Sequence, residues 1–559
     1  MKLTEKGVIV LALTKEEIKN RYNLDNLIAK LLYKRDMTDK EELELFLNGD
    51  FDDLHNPTGI PNIKEIAKNI RASLLFGDKV VIFGDYDVDG TSSTALLYRA
   101  LSRVGSNINL DWMVSNRYRD GYGLSKEAID IMVDEKDADM IITLDCGISD
   151  NENIFYAQEK GVEVIVVDHH ENDGELPDCD FLDLKVEQGD YPFKSLCGCG
   201  ITWKLAQVVL DDELYDLLDI VAMATIADVV PLKGENRLIV KEGLDKIRSG
   251  EVNLGIQDLI ERNEIQNEDL KSYHFGFNIC PMINASGRIG SAKKPVELMI
   301  EDYEMKVSTL GFKLRQDNEE RKRLSNNALD DALDKADGDS NIVIYKGEMI
   351  KGIVGLVAGD LQEKFHKPTI VFGGEDEEGN LKGSCRSIEP LNMYELLQAC
   401  EDLLANYGGH KMAAGLSLPK ENYEEFVKRV KGLTKGIKYK KVKPDLEIEP
   451  DKLSMALTKE IDKLAPFGRS NPKPKFITKE IRAEDVKTVG SSNNHLKFKI
   501  DGIDAIGFKM GDKLNLVESN NIDVIYQPDI NDYYGKSLQF KVKKIRPTNE
   551  SNIQQQKLF

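Results

Sequence analysis

No run of apolar residues in this 559-residue chain approaches the ~20 that a bilayer crossing needs, so a membrane-embedded body is excluded. A short apolar run at residues 7–13 is followed at once by Thr14-Lys15-Glu16-Glu17, and no small-residue cleavage site separates them. It is expected to be a strand and not a signal peptide. Cysteines number seven, an odd count in a long chain, and Cys197-Gly198-Cys199 lacks the C-x-x-C spacing of a zinc site. Reduced, mostly buried thiols are expected. Positive charge is outweighed, with 75 Lys+Arg against 97 Asp+Glu and a net charge of −22. Such a chain does not coat duplex DNA through diffuse electrostatics. Any nucleic-acid contact must use a local basic groove, or metals that offset the carboxylates. There is no internal repeat. What is present, 41% hydrophobic and 31% charged residues, is ordinary for a globular protein of three or four domains. A cytoplasmic location is the expectation.

Residues 1–72 read as a mixed, mainly helical segment, with helical spacing over 63–76. Between 73 and 235 short apolar strands alternate with helices: Val80-Val81-Ile82-Phe83, then residues 140–144, then 162–167. This pattern predicts a parallel sheet covered on both faces. A helix is expected over 91–101, with Thr91 as its cap. Residues 236–335 read as a helical connector, in which 312–336 suits a long exposed helix. A second α/β block occupies 336–435, a basic linker 437–445, and a β-rich small barrel 446–547. Residues 548–559 read as a flexible tail.

The densest chemical signal is Asp85-Tyr86-Asp87-Val88-Asp89-Gly90. Three alternate carboxylates share one face if the backbone is extended, and their repulsion calls for a cation. A calcium loop of the EF-hand type would need Glu at its twelfth position, where Leu96 stands. The second strand ends in Asp145-Cys146-Gly147 and the third in Asp168-His169-His170. Ligands of open parallel sheets sit at the carboxyl ends of strands, so the three clusters converge if the strands are neighbours. Carboxylates with imidazole suit Mn²⁺ or Mg²⁺. A pair of such ions activates water and stabilises both oxygens of an in-line phosphoryl displacement. Phosphoester hydrolysis is the reaction class these residues point to.

Gly84-Asp85-Tyr86-Asp87-Val88-Asp89-Gly90-Thr91-Ser92 and Val167-Asp168-His169-His170 resemble the DHH phosphoesterases, and within them the single-strand-specific exonucleases. Agreement continues through Asn116-Arg117, Gly121-Tyr122-Gly123-Leu124, Leu196-Cys197-Gly198 and Ala227-Asp228-Val229-Val230-Pro231. Further on lie Asn284-Ala285-Ser286-Gly287-Arg288, Gly383-Ser384-Cys385-Arg386, Gly408-Gly409-His410 and Leu464-Ala465-Pro466-Phe467-Gly468. The resemblance implies an α/β fold with a parallel-sheet DHH lobe at 73–235. A DHHA1-like α/β lobe would follow, joined to the first by a long helix, with an OB-like β-barrel at the C-terminus. It implies two Mn²⁺ or Mg²⁺ ions held by Asp87, Asp89, Asp145, His169 and Asp228, Asp145 bridging. Asp85 would join the cluster and His170 would assist catalysis. Arg117, Arg288, Ser384 and Arg386 would bind DNA phosphates, and Gly408, Gly409 and His410 would line the second lobe of the cleft. The implied activity is 5′→3′ exonucleolysis of single-stranded DNA to 5′ mononucleotides, in DNA repair and recombination. The rivals are a DHH oligoribonuclease or nucleotide phosphatase, and a non-catalytic replication scaffold. Implied partners are single-stranded-DNA-binding protein and a RecQ-type helicase. Where family members often carry Trp-His before a G-V-I-G segment, this chain has Met349-Ile350-Lys351.

From 431 to 480 there are 13 Lys+Arg against 7 Asp+Glu, interleaved with Tyr439, Phe467 and Phe476. Such a stretch suits either a single-strand track with stacking aromatics or a solvated linker beside core aromatics. The last residues, Gln555-Gln556-Lys557-Leu558-Phe559, resemble peptides that dock into a bacterial sliding clamp.

Overall fold

The computed structural model describes residues 2–3, 9–10 and 12–548, except 118–122, 173, 187–188, 377, 440–442, 491–492 and 532–534. The 555–559 motif, most of the 548–559 tail, and Gly121 and Tyr122 lie outside the described residues. The chain forms two units. One comprises residues 1–54, 231–241 and 441–559, and the other residues 55–230 and 242–440.

The larger unit opens with a five-stranded sheet. Its strands are β1 (Lys79–Gly84), β2 (Asn109–Val114), β3 (Met140–Leu144), β4 (Glu163–Val167) and β5 (Asp180–Leu182). All pairs are parallel and the order is β2-β1-β3-β4-β5. β1 and β3 are central and buried along nearly their whole length, as unbroken apolar strands of parallel sheets are. The order reverses between β1 and β3, so their carboxyl ends open a crevice. α1 (Val88–Leu101) follows β1 and is buried on almost every face, between α2 (Gly198–Leu210) and α3 (Leu218–Ala227). Three residues before its expected cap the helix has already begun: Asp87, not Thr91, is the N-cap. Thr91 instead sits inside the first turn, its hydroxyl donating to the Asp87 carbonyl at 2.6 Å. The 85–89 segment is therefore a strand end, a cap and a helix start, not an extended run.

Further on, α4 (Cys280–Ile289) and α5 (Glu304–Lys335) are helical as expected, although α5 begins eight residues earlier than its charge pattern suggests. The 32-residue α5 buries Val307, Gly311, Leu314, Asn318, Ser325 and Ala332, a seam at helical spacing. The second sheet contains β6 (Val343–Gly347), β7 (Thr369–Glu375), β8 (Leu381–Arg386), β9 (Asn406–Gly409) and β10 (Ala413–Leu418). Its order is β9-β10-β8-β7-β6, with only β6 and β7 parallel.

The smaller unit holds a seven-stranded sheet from residues 446–547. Its core includes Phe476, Phe498, Phe540 and Tyr526 together with Ile18, Leu31 and Phe46 from the N-terminal helices. Phe476 is fully buried and so is no stacking surface, and Phe467 is half-buried against this core. Tyr439 is in the other unit, where its hydroxyl donates to the Asn341 carbonyl. All seven cysteines are free and all but Cys179 are buried.

Candidate metal centre and the cationic cleft beside it

Asp85 follows β1 and is buried, accepting the Ser115 hydroxyl at 2.9 Å. Asp87 caps α1, its Oδ1 accepting the backbone N–H groups of Asp89 (2.8 Å) and Gly90 (3.1 Å). A carboxylate at this position also meets the positive end of the helix dipole. Asp89, in the first turn, accepts from the N–H groups of Gly198 (2.7 Å) and Cys199 (2.9 Å), which start α2. A Cβ on Gly198 would stand 3.0 Å from the Asp145 side chain, so the N-terminus of α2 approaches this closely only as glycine. Gly90 is equally constrained, since a Cβ there would meet the Asp85 backbone at 2.5 Å.

Asp145 follows β3 with φ of +61°, a conformation that Asp tolerates better than most residues. Its Oδ1 is 3.1 Å from Nε2 of His169. Asp228 caps the carboxyl end of α3, and its Oδ2, like Oδ2 of Asp89, is 3.7 Å from the same nitrogen. Val229 follows with φ of +58°, a strained setting for a β-branched residue of the kind that clusters at functional sites. Asp168, at the end of β4, accepts the N–H groups of Ile148, His169 and His170, and pairs with Nδ1 of His170 at 2.7 Å. It orients both histidines. Sequence reasoning placed Asp168 in the cluster without giving it this task.

Potential ligand atoms lie within 4.8 Å of one another in three overlapping sets: Asp85, Asp87 and Asp145; Asp89, His169 and Asp228; and Asp145, His169 and His170. Asp145 thus stands between two groups of donors. Burial, with Asp87 and Asp89 adding repulsion, pushes Asp145 well above the carboxylate range. Burial first and neighbouring carboxylates second lift Asp89 to about 6, Asp85 to about 7 and Asp228 to about 8. Five carboxylates this close cannot all ionise without compensating charge. Burial holds His169 down to about 3, leaving a neutral ring, and neither nitrogen makes a hydrogen bond among the described residues. An oxygen-rich set with imidazole and no thiolate fits Mn²⁺ or Mg²⁺.

A pH dependence follows. Asp85 and Asp228 keep protons in the native state that the unfolded chain releases above ~4. The stability they contribute is lost as pH rises through about 7 and about 8. At His170 burial pulls the pKa down, but the hydrogen bond and charge of Asp168 outweigh it and lift it to about 9. That contribution is complete below ~6.5 and also fades as pH rises. Between about pH 6.5 and 8 all three act in one direction. EDTA-treated protein should therefore lose Tm across this interval, and saturating Mn²⁺ should flatten or reverse the slope, because ligation requires the deprotonated forms. A metal-free Tm that rises with pH would contradict the account.

Beside Asp85 and Asp87, a cavity of about 480 Å³ is lined by Arg117, Arg288, Lys351, Lys382, Ser384 and Arg386, and by no carboxylate. The Arg117 guanidinium lies 4.1 Å from the centre of the Tyr86 ring. Arg288 donates to the Gly352 carbonyl at 3.1 Å, and burial, with Arg117 adding, lowers it to about 10. Arg386 donates to Ser384 Oγ at 3.2 Å. Lys382 reaches Ser417 Oγ at 2.6 Å. Gly408 also lines the cavity, whereas Gly409 and His410 are exposed and are not among its walls. Lys351 and Lys382 were missed by sequence reasoning. For Lys382 a signal existed: on β8, residues 382, 384 and 386 alternate onto one face.

Family models match in chain order: the DHH family N-terminal domain over residues 79–225, the DHHA1 domain over 338–436 and the RecJ OB domain over 444–544. The fold and site thus define a DHH-type phosphoesterase. The single-stranded-DNA-specific exonuclease RecJ of Bacillus subtilis is 32% identical over 535 residues, 93% of this chain and 67% of that protein. Its Escherichia coli namesake is 30% identical over 94% of this chain and 96% of its own length. The crystal structure of RecJ in complex with Mn²⁺ from Thermus thermophilus superimposes with a TM-score of 0.82 at 27% identity, covering 96% of this chain and 78% of that one. The chain belongs to the RecJ family.

Proposed function

We propose that this protein is a single-stranded-DNA-specific 5′→3′ exonuclease, hydrolysing phosphodiester bonds with two divalent ions and releasing 5′ mononucleotides. The observation that carries this reading is the convergence of five carboxylates and two histidines from four chain segments onto one crevice, beside a cavity lined only by cationic and neutral residues. Family membership supports the substrate, since its members are named for it. Among the described residues no helix is long and apolar enough to cross a membrane. That fits the cytoplasmic location that replication and repair chemistry requires.

Asp87, Asp89, Asp145, His169 and Asp228 would hold the ions, with Asp85 supporting them through the same cluster. Bound there, a divalent pair supplies a water of lowered pKa and charge stabilisation for both oxygens of an in-line displacement. Asp168 holds the proton of His170 on Nδ1 and fixes the ring, leaving Nε2 for the reacting phosphate or water. Arg117, Arg288 and Arg386 bind phosphate oxygens, and Ser384, hydrogen-bonded to Arg386, fixes the fork. In this reading residues 73–235 would carry catalysis, apart from 231–235, which group with the smaller unit, residues 336–435 would bind substrate, and 446–547 would be a strand-binding OB domain. Single-stranded-DNA-binding protein, a RecQ-type helicase and, through residues 555–559, a sliding clamp are partners in this reading.

End-labelled single-stranded and duplex DNA, single-stranded RNA, each polarity and each with and without Mn²⁺, test it on one gel. Mononucleotides released from the 5′ end of single strands in Mn²⁺ alone are expected. Preference for RNA or dinucleotides would favour the oligoribonuclease alternative, and no cleavage at all the scaffold. Lys351→Ala should raise KM about tenfold and reduce the salt dependence of binding by about 0.7 in the log–log slope, the share of one phosphate contact on a single strand. An unchanged slope would remove Lys351 from the phosphate track.

A further inference from the structure

One aromatic pair on the larger unit is left over by the chemistry above. Tyr273 and Phe277 stack on each other with ring centres 4.7 Å apart and planes 26° apart, yet they are 60% and 70% exposed. Apolar rings in mutual contact and open to water mark a binding surface more often than an accident. They stand on a continuous helical segment: Ser272–His274, a π-helical stretch Phe275–Ile279, then α4. Its wholly or partly exposed residues include 273, 277, 281, 284 and 288, whereas Phe275, Ile279, Cys280 and Met282 are buried. Spacings of four, four, three and four put these residues on one side of the segment, the side least covered by the rest of the chain. At one end is Arg288, a wall of the cationic cavity. At the other is the aromatic pair, about 16 Å away along the axis from Phe277.

Glycines beside the stripe approach the metal centre. Gly287 packs against the backbone of Tyr86, between Asp85 and Asp87. Gly276, between the two aromatics, sits over Ile226, two residues before Asp228. The pair thus stands on the same helical segment as Arg288, a wall of the cationic cavity. Its two flat, uncharged faces suit an unpaired base, which has a π-face whatever its identity. Duplex bases are stacked on one another and offer none.

We propose that Tyr273 and Phe277 form a stacking platform for bases of a single strand whose terminal phosphates occupy the Arg288 cavity, adding a contact that only unpaired nucleic acid can make. This rests on the nuclease reading and extends it to strand selection. In steady-state assays on a 20-nucleotide single strand, the Tyr273→Ala/Phe277→Ala protein should show KM raised roughly tenfold or more, as loss of one stacked base implies, with kcat moving far less. The gap between variant and wild type should narrow on a dinucleotide and on a strand with abasic sites a few nucleotides from the 5′ end. Phe277→Trp should keep wild-type KM and Phe277→Leu should not. Fluorescence of 2-aminopurine, placed at successive positions and read in EDTA, should be quenched at one short interval by wild type and not by the double variant. If wild type cleaves single strands but the double variant has the same KM, or leucine serves as well as tryptophan, the platform is wrong. If wild type quenches the probe without cleaving DNA, the platform stands and the nuclease reading fails.

Discussion

Asp145→Asn should abolish turnover while making the metal-free protein harder to unfold. Asparagine preserves shape but cannot carry the negative charge that, in the proposed reading, Asp145 would offer to the divalent ions. Loss of Lewis-acid and nucleophile-generating chemistry costs several kcal/mol of transition-state stabilisation, so kcat should fall by roughly a thousandfold or more, each ~1.4 kcal/mol being a decade. The same substitution removes a carboxyl that burial and the neighbouring Asp89, Asp87 and Asp228 hold protonated, at a cost relative to the unfolded chain, where it ionises freely. In EDTA the variant should therefore melt at a higher temperature than wild type, and it should gain less from Mn²⁺. The two melting curves, with and without metal, check this together with single-turnover rates. A variant with activity within tenfold of wild type, or a lower Tm in EDTA, would show that Asp145 is neither the shared ligand nor a source of strain. Such a site trades stability for function, as strained catalytic clusters do.

Arg237→Leu should cost the smaller unit roughly 3 kcal/mol or more. The buried guanidinium donates Nε to the Phe46 carbonyl at 2.9 Å, Nη1 to Leu464 at 3.1 Å and Nη2 to Ala465 at 2.8 Å, and lies 3.8 Å from the centre of the Phe46 ring. One side chain thereby joins three stretches of sequence: the N-terminal helices, residues 231–241 and the approach to the OB sheet. Leucine would restore apolar volume but take the guanidinium donors from the Phe46 and Ala465 carbonyls, each at about 1–3 kcal/mol, while the Leu464 carbonyl would keep Asn471 Nδ2 at 2.8 Å. Burial already lowers Arg237 to about 10, still far above neutrality, so the charge is retained and solvated by carbonyl dipoles. Arg237→Lys should recover only part of the loss, because an ammonium lacks the planar fork that addresses several carbonyls at once. Urea denaturation followed through the smaller unit would measure this. A change below about 1 kcal/mol would mean the carbonyls find water.

Parts of the site were legible because chemistry and strand ends coincide. Asp85, Asp145 and the Asp168-His169-His170 run each follow a short apolar strand, and parallel strands all present their carboxyl ends on one side. Asp228 had no such marker: it ends a helix, and only the family resemblance picked it out. The start of α1 was misplaced because Thr91 and Asp87 are both good caps locally. The choice fell to Asp87, the residue whose neighbours place it among the other carboxylates. Composition left Phe476 open to a stacking or a core role, and it is core, fully buried at the start of its strand.

Residue types, periodicity and order were sufficient to point to two α/β blocks, a β-rich C-terminal region and a carboxylate–imidazole metal chemistry, whereas the arginines assigned to phosphate came from the family resemblance alone. Only the folded chain decided that Asp89 anchors α2 through Gly198 and Cys199, that Asp168 orients two histidines, that Lys351 faces Lys382, and that residues 1–54 and 231–241 belong with the OB sheet. The division has a physical origin. Backbone propensity and side-chain chemistry act within a few residues, whereas which distant groups share a buried volume is settled by packing and by the closure of long loops.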